Sequence, residues 1–320
     1  MRCLLIAPLH FYNFAECVSA GLRSRGFEVV LENEEYPTGT WGRVAGYFAT
    51  NYIRKTSFRY FKKLIETEAP FSLIFIIKGR GMSRDLINLF KKNADRVVGY
   101  NYDSFEKNPA ASEWFRSVDL YMTFDIDDAA KFDLKLVHLF SAAPIFVPQE
   151  KKYLVTLIQR RHSDRLKHAK KICDAVPEDR RFIFLYEWSW LTFIVGFLQN
   201  PILYFQMRRY ISRTPLKYKD AMEKMAESFV TFDYAFPGQS GITVRCFEAQ
   251  SLGTAILTNN LAAVESGMFQ GGSIAYMPPD ASSDTISQSL AALATQRPAP
   301  RIRALEDFLN DILSATDKLT

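Results

Sequence analysis

The chain has 320 residues, 23% of them charged and 48% hydrophobic, with a formal net charge of +5. That length and balance suit two ordinary globular domains and exclude a disordered or collagenous chain. Cys3, Cys17, Cys173 and Cys246 lie far apart without a CxxC pair, which argues against a zinc module or a disulfide scaffold and for free thiols in a reducing, cytoplasmic compartment.

The opening stretch MRCLLIAPLHFY is too short and too quickly polar for a secretory leader, so Arg2 to Ala7 is expected as a first strand. A loop carrying His10 follows. Phe14 to Arg25 has helical spacing closed by Gly26, and residues 27 to 31 form a second strand. Trp41 to Glu68 is aromatic, basic and helical in pattern. Residues 71 to 77, FSLIFII, read as a strand buried on both faces. Ser83 caps a helix reaching Asn93, and strands are expected at 97–100, 120–124 and 134–140. Alternation of strands and helices predicts a doubly wound α/β domain. Ser141 to Pro148, with two prolines among small residues, is the expected linker. The pattern then restarts: a strand at 154–158, a helix at 164–175, a strand at 182–186, a helix at 221–227 and a strand ending at Val230-Thr231-Phe232. A final helix, Ile302 to Ala315, has one apolar face. The expected division is 1–146, 147–300 and a terminal helix at 301–320.

The densest information lies from Asp233 to Asn260. A strand runs into Pro237-Gly238-Gln239-Ser240-Gly241, which is turn chemistry. A helix follows from Thr243 to Leu252, stopped by Gly253, and Ala255 to Thr258 is the next strand. Ligands of open α/β sheets bind where such a strand–turn–helix unit presents its helix N-terminus. Arg245-Cys246-Phe247-Glu248-Ala249, Gly253 and the Ile-Leu-Thr strand resemble the donor-binding segment of GT-B glycosyltransferases. The longer string from Gln239 to Glu248 is similar to GT-B-like proteins of bacterial capsular and lipopolysaccharide biosynthesis, distantly similar to the spore-maturation glycosyltransferases. Tyr100-Asn101-Tyr102-Asp103-Ser104-Phe105 and the residues through Asp125 resemble the same group, so the likeness spans both halves.

The resemblance implies a GT-B-like fold, two Rossmann-like domains of parallel sheet facing a cleft. The first would bind a glycan or lipid-linked acceptor, the second a nucleotide-sugar. Glu248 would hold the ribose hydroxyls. Many retaining members carry a second Glu where this chain has Ser240, so the anomeric outcome does not follow. Gln239, Ser240, Gly241 and Thr243 are candidates to meet phosphate oxygens, with an N-cap as the plainer reading of Ser240 or Thr243. Arg245 stands one helical turn before Glu248 and could pair with it or bind phosphate. Arg160, Arg161 and Arg165 could balance a leaving diphosphate without a metal or any other cofactor, or form a solvated basic face. His10 and Asp103 are the candidate bases; a loop histidine and an Asx turn are the structural alternatives. Asp125-Ile126-Asp127-Asp128 has the form of a metal-binding DxD, but its place before a helix favours Asp127 as an N-cap. Two other function classes remain, an epimerase-type nucleotide-sugar enzyme and a non-catalytic subunit of a polysaccharide assembly complex.

Charge is unevenly placed. From Lys151 to Lys219 there are 15 Lys and Arg against 5 Asp and Glu, a local balance of +10. Within it, Leu185 to Met207 is rich in Trp, Phe and Tyr but is interrupted by Glu187 and Asn200-Pro201. Such a segment is either buried or laid in the headgroup region at the inner face of the cell membrane; the candidate span is 185–213. Nucleic-acid signatures are lacking, and no nucleic-acid partner is expected.

Overall fold

The computed structural model describes residues 1–9, 14–39, 49–143 and 150–317. His10, the segment 40–48 and most of the expected linker lie outside the described residues. The chain forms two compact units: one is Met1–Leu139 with Pro237–Gly241 and Ala304–Thr320, the other Phe140–Phe236 with Ile242–Arg303.

In the first unit the strands are β1 (Arg2–Ala7), β2 (Glu28–Asn33), β3 (Leu73–Ile77), β4 (Val97–Asn101), β5 (Leu120–Thr123) and β6 (Lys135–Leu136). They pair in the order β2-β1-β3-β4-β5-β6, all parallel. β3 and β4 are buried at every position, as a parallel sheet covered on both faces requires. Phe61, Ile65, Leu86, Phe90 and Trp114 pack on the sheet residues Leu4, Ile6, Ile74 and Ile76. Helices Phe14–Ser24, Thr50–Glu68 and Arg84–Lys91 supply the crossovers, and Ser83 caps the last by accepting from Leu86 N.

In the second unit the strands are β7 (Tyr153–Arg160), β8 (Arg181–Tyr186), β9 (Ile211–Ser212), β10 (Ser228–Asp233), β11 (Ala255–Thr258) and β12 (Ile274–Tyr276). The order β12-β11-β10-β7-β8-β9, again parallel throughout, is the doubly wound dinucleotide-fold order. It reverses direction between β7 and β10, so the crevice for a ligand opens at the carboxyl ends of those two strands. Val155, Leu157, Val230, Phe232 and Leu257 form the sheet side of the core.

Several boundaries differ from expectation. The stretch 134–140 pairs as a strand only at Lys135–Leu136; Val137, Leu139 and Phe140 are buried by packing, which an apolar run cannot distinguish from a ladder. The helix expected to begin at Asp128 is Ile126–Phe132, and its N-cap is Asp125, not Asp127: the Asp125 side chain accepts from Asp128 N. Asp164 stands before the helix Arg165–Ala175 but makes no side-chain cap, because its carboxylate is engaged by Tyr234 and by His168. The terminal helix begins at Leu305 and packs with the first unit, burying Phe308, Leu309 and Ile312. Helices Leu261–Glu265 and Ser283–Thr295 and strand β12 were not anticipated. The second helix did carry a signal: Ile286, Leu290 and Leu293 share a face and Ser282 accepts from Thr285 N.

Candidate functional site

The helix Val244–Ser251 starts beyond the carboxyl end of β10 and carries the acidic residue singled out above. Glu248 is only 3% exposed; the reading of it as a solvated helix carboxylate is excluded. Tyr218 donates its hydroxyl to Glu248 Oε1 at 2.9 Å. Arg245 Nη1 stands 3.0 Å from Glu248 Oε2 as an ion pair one turn apart, and Arg245 Nη2 donates to Ile158 O of β7 at 3.3 Å. Burial raises the Glu248 carboxyl above its usual value, while Arg245 and Tyr218 pull it back. Glu248 Oε2 is nevertheless a buried oxygen that accepts no hydrogen bond of good geometry among the described residues. Tyr218 was not singled out from the sequence; nothing in a helix-starting tyrosine 30 residues away marks it as a carboxylate partner.

Thr243 stands at the N-cap position but does not cap. Its hydroxyl donates to Asp233 Oδ1 at 2.5 Å, and Thr258 donates to Asp233 Oδ2 at 2.9 Å. This fixes the helix start to the ends of β10 and β11.

The loop after β7 brings three arginines to the same strand ends, with different roles. Arg161 is a structural ion-pair partner of the fully buried Glu187 and donates to Thr192 O at 2.8 Å, so it is removed from the diphosphate candidates. Arg160 is exposed and lies over Trp188, 5.2 Å from the ring centroid. Arg165 lies over Tyr234 at 4.8 Å and Phe236 at 5.4 Å. His162 stacks on Phe236 with centroids 4.9 Å apart. Burial and the neighbouring Arg165, Arg160 and Arg161 push its pKa down to about 3, so it is neutral in the physiological range.

The turn residues are placed otherwise than expected. Gln239, Ser240 and Gly241 belong with the first unit. Ser240 N and Gly241 N donate to Asp125 Oδ2 at 2.8 and 3.1 Å, and Ser240 Oγ donates to Asp125 Oδ1 at 2.9 Å. Asp127 N donates to Ser240 Oγ at 2.8 Å. The backbone donors proposed for phosphate thus already surround a carboxylate of the chain itself. Spacing alone could not show this, because Asp125 lies 115 residues away.

At the carboxyl ends of β2, β3 and β4, the first unit holds a second cluster. Lys78 Nζ pairs with Asp103 Oδ2 at 2.7 Å, and Arg80 N donates to Glu34 Oε2 at 2.9 Å. Burial pushes Glu34 up to about 7, opposed by Lys78 and the Arg80 N–H. Burial alone would lower Lys78, but Asp103 and Glu34 beside it carry its pKa above the usual value. Asp103 does not itself form the Asx turn; Asn101 Oδ1 accepts from Asp103 N at 3.3 Å. His10, the other candidate base, lies outside the described residues. Among the described residues no group of three or more His, Cys, Asp or Glu is arranged to hold a metal ion.

No protein-family model matches the chain, and no curated protein matches it. Solved structures do. Sucrose-phosphate synthase from Thermosynechococcus elongatus aligns over 100% of this chain and 99% of its own with a TM-score of 0.68 at 9% identity. The fold is that of the GT-B glycosyltransferases. Anabaena HepE, solved with UDP-glucose, aligns over 99% of this chain and all of its own at 12% identity, with a TM-score of 0.61. UDP-GlcNAc 2-epimerase from Methanocaldococcus jannaschii, solved with UDP-GlcNAc and UDP, aligns over 98% of this chain and all of its own at 9% identity, with a TM-score of 0.59. At these identities the likeness is one of GT-B fold.

Proposed function

We propose that the chain is a glycosyltransferase that takes its sugar from a nucleotide-diphosphate donor held by the second unit. The observation that carries this is Glu248: a buried carboxylate beside the β7/β10 switch point, with one oxygen bonded to Tyr218 and the other, Oε2, ion-paired with Arg245 but accepting no hydrogen bond of good geometry among the described residues. Buried acceptors are ordinarily satisfied. A ribose hydroxyl is a donor of the right kind, and the same fold holds UDP-glucose in HepE. In this reading Arg245 orients Glu248 and, with Arg160 and Arg165, balances the diphosphate as it leaves. Thr243 sets the start of the helix. These cations would do the work without a bound metal.

The acceptor hydroxyl would attack the anomeric carbon, the bond to the diphosphate oxygen would break, and the proton would pass to a base, for which His10 and Asp103 are the candidates. The finer reading is surface-polysaccharide assembly with a glycan or lipid-linked acceptor. It rests on the resemblance of the 100–125 and 239–259 segments.

Titration calorimetry with UDP, GDP, TDP and CDP tests the donor site. One nucleotide should bind preferentially, and Glu248→Gln should weaken it at least about tenfold, the loss of one charge-assisted bond. Equal affinity in the variant rejects the assignment. The epimerase likeness supplies the competing outcome: incubation with the matching nucleotide-sugar yields free sugar and nucleotide diphosphate for a transferase, and an interconverted donor for an epimerase.

A further inference from the structure

We propose that the helical hairpin formed by Trp190–Gln199 and Pro201–Met207 is a docking surface for an anionic phospholipid bilayer. The hairpin is built to present an apolar face outward. Its inner side is anchored: Tyr204 and Met207 are 4% and 1% exposed, and Phe193 and Leu203 pack against the core of the second unit. Gly196 lets the two helices meet, since a Cβ there would stand 2.0 Å from the Tyr204 hydroxyl. Glu187 holds the base, pairing with Arg161 and accepting from the Thr192 hydroxyl at 2.5 Å. Asn200 caps the second helix by accepting from Leu203 N.

The outer side is apolar and open. Trp190, Leu198, Ile202 and Phe205 are 61%, 72%, 71% and 62% exposed. Trp188, Ile194, Val195 and Phe197 add to the same segment, so most of the exposed large apolar side chains among the described residues lie between 188 and 205. Apolar surface collected in one place marks an interaction site. Neither helix is long and apolar enough to cross a membrane.

Charge selects the occupant. From Trp188 to Lys217 there is no Asp or Glu, while Arg208, Arg209, Arg213 and Lys217 all lie there. Arg208 lies over Phe205 at 4.3 Å, Arg213 over Trp190 at 4.1 Å, and Arg160 over Trp188. Each guanidinium therefore lies against the face of an aromatic anchor, so rings that enter the headgroup layer bring a cation with them to meet lipid phosphates. A second copy of the chain would face these arginines with the same arginines, a like-charge juxtaposition.

Vesicle flotation tests the proposal with the full chain. The wild type should float with phosphatidylglycerol-containing vesicles and much less with pure phosphatidylcholine, and binding should fall as salt rises. Trp190→Ser with Ile202→Ser, and separately Arg208→Gln with Arg213→Gln, should each reduce recovery by about fivefold or more, since binding follows buried apolar area plus charge. Leu261→Ser, 47% exposed on another helix, should float like the wild type. Unchanged melting temperature in the variants shows that they fold. No flotation of the wild type, equal recovery on both vesicle types, or wild-type flotation by both double variants overturns the proposal. So does sedimentation showing a dimer that the Trp190→Ser, Ile202→Ser pair splits while vesicle binding is unchanged.

Discussion

Burial governs the two acidic side chains that stand out at the scale of single residues, Glu248 and Glu34. Glu248 was legible as a candidate from its place after a glycine-bearing turn; its burial and its bond from Tyr218 were not, and its ion pair with Arg245 was one of two open alternatives. Replacing Glu248 by Ala should cost about 3 to 5 kcal/mol of stability, because the partly buried Arg245 then loses its counter-charge; denaturant titration measures it. Glu248→Gln should cost less, since its carbonyl can still accept from Tyr218.

Glu34 was not singled out at all. With its folded pKa near 7 against an ordinary 4.5, the folded state holds a proton that the unfolded state releases. Its contribution to stability is therefore complete below pH 4.5 and is lost as pH rises toward 7. The stability difference between wild type and Glu34→Gln should shift against the wild type over that window by roughly 3 kcal/mol. A flat difference across the same range would show that Glu34 is ionised in the fold throughout.

At the scale of elements, the strand pattern was largely readable, and the capping was readable at Ser83 but not at the DxD segment. β3 and β4 announce themselves as apolar runs because a parallel sheet has no wet face. The DxD segment shows the limit. Any of its three aspartates could cap the helix, and the choice of Asp125 is made by Ser240 and Gly241, whose N–H groups need the same carboxylate. Asp125→Ala should therefore destabilise by about 3 kcal/mol or more, as a lost cap and orphaned buried donors add. Asp125→Asn should recover part of this through its carbonyl oxygen. Urea unfolding of the two variants decides it, and equal loss in both would mean that charge, and not hydrogen bonding, holds the turn.

For the whole molecule, the first unit is discontinuous in sequence. Phe308 of the terminal helix is fully buried, 5.9 Å from the Phe14 ring and 5.1 Å from the Tyr100 ring. Leu309 lies where Gly21 leaves room, since a Cβ on Gly21 would stand 2.5 Å from Leu309 Cδ1. Phe308→Ala should cost about 3 to 5 kcal/mol. With two separate cores, unfolding need not be a single transition; calorimetry should show the loss in one component while nucleotide-dependent stabilisation stays with the other.

The amino-acid order by itself determined what is local or periodic: parallel α/β architecture twice over, the strand–turn–helix unit around Glu248, the amphipathic terminal helix and the basic, aromatic segment near 190–213. Tertiary structure alone decided which of the candidate groups are already spent on partners distant in sequence. Arg161 is taken by Glu187, and the Ser240 and Gly241 amides by Asp125. Periodicity and capping propensity act within a few residues, whereas a buried charge must find its counter-charge wherever the fold brings one. The list of residues left for chemistry is therefore a property of the folded chain.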